Sequence, residues 1–361
     1  MDLKQQNILI LTRTMGLGGT ENVILHLCEI LKPHVNKIVI CSCGGVNVAK
    51  LDKMEIRHYI IPDITNKNVC TIASIYSILK HVIREENISV IHSHHRMAAL
   101  YARVVSGKKT VRIVNVHNTF LDKQKLTKIA YKDAKIVAVG NQVKNNLIEF
   151  FAFSDSEVTV IYNTVKTFSR EIKPVRELED AKEKGYVLIG NIGRLTKQKG
   201  MRYFLKSIPI VKYHCEKVKF VIVGDGEERD TLQYITKEMA IEDDVIFLGY
   251  QDDVQNVMSQ LDFIVLSSLW EGFPLTPIEA FSVGKTVVAT AVDGTPEIVK
   301  DGVNGILVEK EDFVGLARAV INLVKNEKLR SIYEKNALDI YEREFSFERM
   351  RENYLLYYSL I

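Results

Sequence analysis

With 361 residues the chain is too long for one ordinary core and has the length of two domains. Hydrophobic residues at 47% and charged residues at 26%, with no low-complexity tract, exclude a disordered or fibrous chain. No apolar run reaches the roughly 20 residues of a membrane span. The polar residues 1–6 lack a signal-peptide layout, and five cysteines (Cys28, Cys41, Cys43, Cys70, Cys215), mostly set in apolar segments, fit reduced, buried thiols in a cytosolic protein.

The first predicted strand covers residues 8–12 and leads through Gly16, Gly18, Gly19 and Thr20 into a helix over residues 21–31. Glycines there let the backbone approach a phosphate or a sugar closely, or simply form a tight turn. A dinucleotide-binding reading fails at one point. It wants an acidic residue for the ribose about 20 residues on, and the second strand, residues 37–42, runs into Cys41, Ser42, Cys43, Gly44 and Gly45 with no Asp or Glu. Cys41 and Cys43 read as small residues at a strand end, since no second Cys/His pair has metal-site spacing.

A strand over 89–93 carries His92, with His94 and His95 following, and alternation aims His92 and His94 to one side. No nearby carboxylate or Cys completes a metal set. The strand over 111–117 ends in His117 and Asn118. A strand-end His can donate to a substrate hydroxyl or steady developing charge, and a purely structural role is as well supported. Residues 96–149 hold eleven Lys/Arg against Asp122, Asp133 and Glu149, a net +8 in a chain of net +3. Lys125, Lys128 and Lys132 fall on one side of a predicted helix whose Leu126, Ile129 and Ala130 are expected to face the sheet. Such a cationic side is either solvated or drawn to an anionic membrane leaflet or phosphorylated acceptor, at about 1 kcal/mol per Lys. It lacks the interleaved aromatics and helix-turn-helix of nucleic-acid binders, so no nucleic-acid partner is expected.

Residues 163–184, polar and charged with Pro174, mark the boundary between domains. Unbroken apolar runs at 187–189, 220–223, 245–248, 262–268 and 286–289 then repeat the strand and helix alternation, as parallel strands covered on both faces require. Ligands of such sheets bind outside the carboxyl ends of the strands, and with two sheets the expected site is the cleft between them.

The most informative stretch is residues 271–279. Glu271 lies in a strand-to-helix turn with Gly272, Phe273 and Pro274, and Glu279 in the first turns of the helix opened by Leu275, Thr276 and Pro277. Free N–H groups and the positive helix end suit a diphosphate, leaving the carboxylates to accept sugar hydroxyls. Arg194 and Lys199 share the loop after the first strand of this half, between Gly193 and Gly200, where a guanidinium fork and an ammonium can hold a diphosphate. Gly224, Asp225 and Gly226, and the run from Asp293 to Glu297, form further strand-end turns. No serine elbow, Walker loop or kinase set is present.

Taken in order, Gly18, Gly19 and Thr20, His117 and Asn118, Gly193 and Arg194 with Lys199 and Gly200, residues 223–226, Glu271 to Pro274 with Glu279, and residues 293–305 resemble the retaining GT-B glycosyltransferases of family 4 (group 1) over nearly the whole chain. The resemblance implies an α/β protein of two Rossmann-like domains with parallel sheets facing a central cleft. Residues 1–165, with a C-terminal helix at about 343–361, would form the acceptor-side domain, and residues 166–342 the donor domain.

By the same resemblance Arg194 and Lys199 hold the donor diphosphate, Glu279 the ribose, and Glu271 with the backbone after Gly272 and Phe273 the transferred sugar. Gly18 and Gly19 approach phosphate and sugar, His117 contacts the sugar, and Gly193, Pro274, Leu275 and Thr276 complete the donor set. The implied reaction moves a hexosyl or N-acetylhexosaminyl group from a nucleotide diphosphate sugar, UDP-linked in the first instance, to a glycan or lipid-linked acceptor, without a metal or cofactor. Polysaccharide or glycolipid synthesis in the cytoplasm, with peripheral contact at the inner membrane face, is the expected setting. A sugar-nucleotide epimerase of the same fold and a non-catalytic partner subunit are the competing readings.

Overall fold

The computed structural model describes residues 3–168 and 171–360; the ends of the expected terminal segments, Met1 and Ile361, lie outside them. The chain divides into two compact units, Met1–Asn163 with Met350–Ile361, and Thr164–Arg349.

In the first unit seven strands, β1 (Asn7–Leu11), β2 (Lys37–Ser42), β3 (Arg57–Ile60), β4 (Val90–Ser93), β5 (Val111–Val116), β6 (Lys135–Ala138) and β7 (Val158–Val160), form one sheet in the order β3-β2-β1-β4-β5-β6-β7. Every neighbouring pair is parallel. The central strands are buried almost throughout, because helices cover both faces and each side chain meets apolar neighbours. Leu9, Leu11, Val39, Ile75, Leu79, Ile91, Ala98 and Ala102 are part of one core cluster. The final helix, Phe347–Leu360, buries Tyr354 and Tyr358. The Tyr354 hydroxyl donates to Asn115 Oδ1 at 3.1 Å, and the Tyr358 hydroxyl lies 2.8 Å from His92 Nδ1.

The second unit repeats the plan with six strands: β8 (Val187–Ile192), β9 (Val218–Val223), β10 (Val245–Gly249), β11 (Phe263–Leu266), β12 (Val287–Thr290) and β13 (Gly305–Val308), in the order β10-β9-β8-β11-β12-β13. All pairs are again parallel. Strand order reverses between β1 and β4 in one sheet and between β8 and β11 in the other. Those two switch points are where doubly wound sheets open a crevice at their carboxyl edge.

Three sequence expectations need correction. Ile129 does not face the sheet: in the helix Gln124–Tyr131 it is Thr127, Ala130 and Tyr131 that are buried, while Ile129 is 53% exposed. Cys43 and Cys70 are exposed, whereas Cys28, Cys41 and Cys215 are buried. The charged boundary segment contains a helix, Arg176–Glu183, whose Leu178 and Ala181 are buried three positions apart. Two apolar residues were too few to show a period. No helix among the described residues is long and apolar enough to cross a membrane.

Candidate functional site

At the switch point of the second unit, β8 and β11 run side by side, and the loops leaving them are knitted together. Gln198 Nε2 donates to the Trp270 carbonyl at 3.0 Å, Leu269 N donates to the Gln198 carbonyl at 2.8 Å, and Ser267 Oγ donates to the Lys199 carbonyl at 3.1 Å. Gly200 makes this possible. Its φ is +56°, and a Cβ there would run into the Ser267 carbonyl.

This close approach brings Lys199 to Glu271, 72 positions away: Nζ lies 2.6 Å from Oε1, with the side chains 16% and 6% exposed. The same Oε1 accepts from Ser268 Oγ at 2.6 Å. The Glu271 backbone is pinned in turn, because its N–H donates to Asp293 Oδ2 at 2.6 Å. Glu271 is thus an oriented, charge-compensated carboxylate.

Pro274 caps the helix Leu275–Ser282 from extended backbone at φ −70°, and Glu279 follows in its second turn. Burial pushes the Glu279 carboxyl up to about 7, against the pull of the nearby Lys199 ammonium. Phe273 is 8% exposed, with its ring 6.2 Å from that of Phe345, and Thr276 is equally buried. Gly294 donates its N–H to the Gly272 carbonyl at 3.1 Å. Gly193, at φ +156°, lies against the Lys199 stem, and Arg194 next to it is exposed.

In the first unit Gly18 precedes the helix Gly19–Leu31. Glu21 in its first turn accepts from Thr14 Oγ1 at 2.6 Å, and its carboxylate occupies the space a Gly18 side chain would need. His117, past the end of β5, has Nε2 3.0 Å from His94 Nδ1. The His94 ring stands 4.6 Å from that of His92. Burial lowers all three imidazoles, His92 to about 3, His117 to about 4 and His94 well below its ordinary value, so the cluster is neutral at physiological pH. Among the described residues no group of three or more His, Cys, Asp or Glu gathers to hold a metal.

Of the residues singled out in the sequence, Arg194, Lys199, Glu271 and Glu279, the fold pairs Lys199 with Glu271 and leaves Glu279 within the electrostatic reach of the Lys199 ammonium. Sequence reasoning passed over Ser268, Glu21 and Arg96. Ser268 carries no signal beyond its place at a strand end, and the first turn of the Gly19–Leu31 helix marks Glu21. Arg96 becomes visible only once strand order puts β4 beside β1.

Two doubly wound units in one chain, each with glycine or charged loops at its switch point, have the plan of the GT-B glycosyltransferases. The comparisons agree. The Glycosyltransferase Family 4 model matches residues 17–167, and the Glycosyl transferases group 1 model matches residues 175–339. An Escherichia coli UDP-Gal:α-D-GlcNAc-diphosphoundecaprenol α-1,3-galactosyltransferase is 28% identical over 351 residues, covering 89% of this chain and 88% of its own. A Bacillus anthracis N-acetyl-α-D-glucosaminyl L-malate synthase is 27% identical over 300 residues, 78% of either chain. The Anabaena protein HepE, solved with UDP, superposes with a TM-score of 0.84 at 19% identity, covering 99% of this chain and all of its own. The chain belongs to the family 4 (group 1) glycosyltransferases, and it is a transferase of the hexosyl type.

Proposed function

We propose that the protein transfers a hexosyl or N-acetylhexosaminyl group, with retention at the anomeric carbon, from a UDP-sugar to a glycan or lipid-linked acceptor. The carrying observation is the 2.6 Å contact of Lys199 with Glu271 beside Glu279, at the switch point of a parallel sheet. An ammonium fixed there, with the exposed Arg194 on the same loop, suits a diphosphate that gains charge as it leaves. Fixed cations meet that need in place of a metal.

The C1–O bond to the diphosphate breaks, the acceptor oxygen bonds to C1 from the same face, and the acceptor proton passes to the departing phosphate oxygen. Glu271 is tied to Lys199, Ser268 and Asp293, so it is assigned to hold sugar hydroxyls rather than to attack C1. Glu279 is assigned to the ribose. Gly193, Gly272, Phe273, Pro274, Leu275 and Thr276 complete the donor seat. For Gly18, Gly19 and His117 the proposed contacts with phosphate and sugar rest on the family pattern. UDP in the HepE complex and the UDP-galactose and diphospholipid in the name of the Escherichia coli relative support the donor base and a lipid-linked acceptor. With a lipid-linked acceptor the reaction would belong to polysaccharide or glycolipid synthesis, which we assign to the cytoplasmic membrane face.

A thermal-shift screen against UDP-, GDP- and ADP-sugars tests the donor, since ligand at 100 times its Kd stabilises by roughly 2.7 kcal/mol. A UDP-sugar should give the largest shift, and NMR of the product made from it should show the donor's anomeric configuration. No shift with any of the three, or an inverted product, would defeat the proposal.

A further inference from the structure

The first unit encloses a cavity of about 870 Å³ at the carboxyl ends of β1, β4 and β5. Arg96 stands in its wall as the first residue of the helix Arg96–Val105, which follows β4, and is only 8% exposed. Its Nη1 donates to the exposed Asp122 carboxylate at 3.0 Å, and its guanidinium lies 4.3 Å from the centre of the Phe120 ring. Nε and Nη2 are buried with no hydrogen-bond partner. Those two nitrogens share the side edge of the guanidinium, whose parallel N–H groups fork onto two oxygens of one anion. A buried cation with that edge unmet is unfavourable, and an arriving anion removes the penalty.

Nothing else in the wall supplies that anion. Tyr131 comes close enough to the guanidinium to interact with it, but it is neutral, its hydroxyl pushed up to about 12 chiefly by burial, so it supplies no negative charge. The wall has two carboxylates: Asp122 is already on Nη1, and Glu21 is held by Thr14 at 2.6 Å. Arg13, Lys67 and Lys123 add positive charge to the same wall, although Arg13 is paired with Asp63 and Lys123 lies 3.8 Å from the Asp122 carboxylate that Arg96 also holds. The positive start of the Arg96 helix adds to it.

We propose that this cavity seats the phosphate or diphosphate of a phosphorylated acceptor, with the Nε and Nη2 edge of Arg96 and the start of its helix as the anion hold. This deepens the reading above and rests on it. A dianion suits several cations better than a carboxylate does. The phosphate can belong to a lipid-linked sugar or to a soluble sugar phosphate. Val69, Ile72 and Tyr76, 79%, 41% and 42% exposed along one side of a helix whose Ile72 lines the cavity, offer a path for a hydrocarbon tail.

Calorimetry on the full chain, saturated with UDP to occupy the donor seat, tests this with geranyl diphosphate, glucose 1-phosphate and the phosphate-free octyl glucoside. At least one phosphate probe should bind and octyl glucoside should not. Arg96→Ala should weaken the phosphate probe tenfold or more, Arg96→Lys by less, and neither should change the Kd for UDP. Preference for geranyl diphosphate assigns a lipid-linked acceptor, and preference for glucose 1-phosphate a soluble one. Should Arg96→Ala fail to fold, Arg96→Lys decides, because it keeps the charge and loses the fork. The proposal falls if neither phosphate probe binds, if octyl glucoside binds equally well, or if a folded variant binds the probe as wild type does. Failure of UDP itself to bind wild type would instead overturn the donor assignment, and the same probes without UDP still decide Arg96.

Discussion

Lys199 and Arg194 share a loop but not an environment, and that difference separates two effects. Lys199 is largely buried against Glu271, so Lys199→Ala strands a buried carboxylate and should lower the melting temperature as well as turnover. Arg194 is exposed, and Arg194→Ala should leave stability nearly unchanged. Each should lose ~2 to 4 kcal/mol of transition-state stabilisation, the cost of one preorganised donor to a developing oxyanion. Steady-state kinetics and a melting curve on both variants check this, and unchanged turnover in either would sink its assignment to the diphosphate. Glu279 adds a pH signature. Its folded value of about 7 lies above the ordinary range near 4, so its contribution to stability is fullest at low pH. That contribution is lost as pH rises from about 4 through about 7, by at most about 4 kcal/mol. Glu279→Gln should therefore melt higher than wild type at pH 8, with the gap closing at pH 4. If the carboxylate accepts ribose hydroxyls, donor KM should rise as pH falls below about 7, and in the Gln variant it should be high and flat. A wild-type KM that ignores pH across that window contradicts the ribose role.

Local order reveals strands and the loops that follow them, whereas their arrangement does not come from local order. The unbroken runs of β8, β9, β11 and β12 were legible because both faces of a parallel sheet are covered. The edge strand β3, Arg57–Ile60, has half-exposed or exposed residues throughout and gave no comparable run. That the Lys199 and Glu271 loops share a sheet edge was legible; their contact was not, because it needed β8 beside β11 and the glycine that lets the loops touch. Arg96 was hidden for the same reason, since nothing around residue 96 says that β4 lies next to β1. Gly200 can be tested as that enabling residue. Gly200→Ala must accept φ +56° and drive a Cβ into the Ser267 carbonyl, whereas Gly185→Ala at φ +76° has open space. Both lose the left-handed freedom of glycine, by about 1 kcal/mol or more. Only the first also pushes the Lys199 loop from the Glu271 loop. Gly200→Ala should thus melt well below Gly185→Ala and weaken nucleotide binding, and equal melting of the two would show that the close approach is dispensable.

Charge is distributed unevenly along the chain, and this bears on where the enzyme works. Residues 96–149 carry a net +8 in a protein whose total is +3. Lys125, Lys128 and Lys132 are exposed on and beside the helix Gln124–Tyr131, and the exposed Ile129 among them, with Leu121 80% exposed nearby in sequence, gives that side an apolar element. Cations around exposed apolar side chains are what an interfacial membrane contact needs: in such a contact attraction would bring the surface in, and shallow burial of Ile129 and Leu121 would hold it. The attraction is electrostatic and acts within a Debye length, about 10 Å at 0.1 M salt and about 3 Å at 1 M. The protein should therefore sediment with anionic vesicles at low salt, be released at high salt, and ignore zwitterionic vesicles. Replacing the three lysines by Gln should remove about 1 kcal/mol each, roughly a hundredfold in partitioning, while leaving the Kd for nucleotide unchanged. Binding that persists in the triple variant, or that does not respond to salt, would place the contact elsewhere. A protein that never sediments with anionic lipid would leave these lysines as a solvated surface and direct the search for acceptors to soluble glycans.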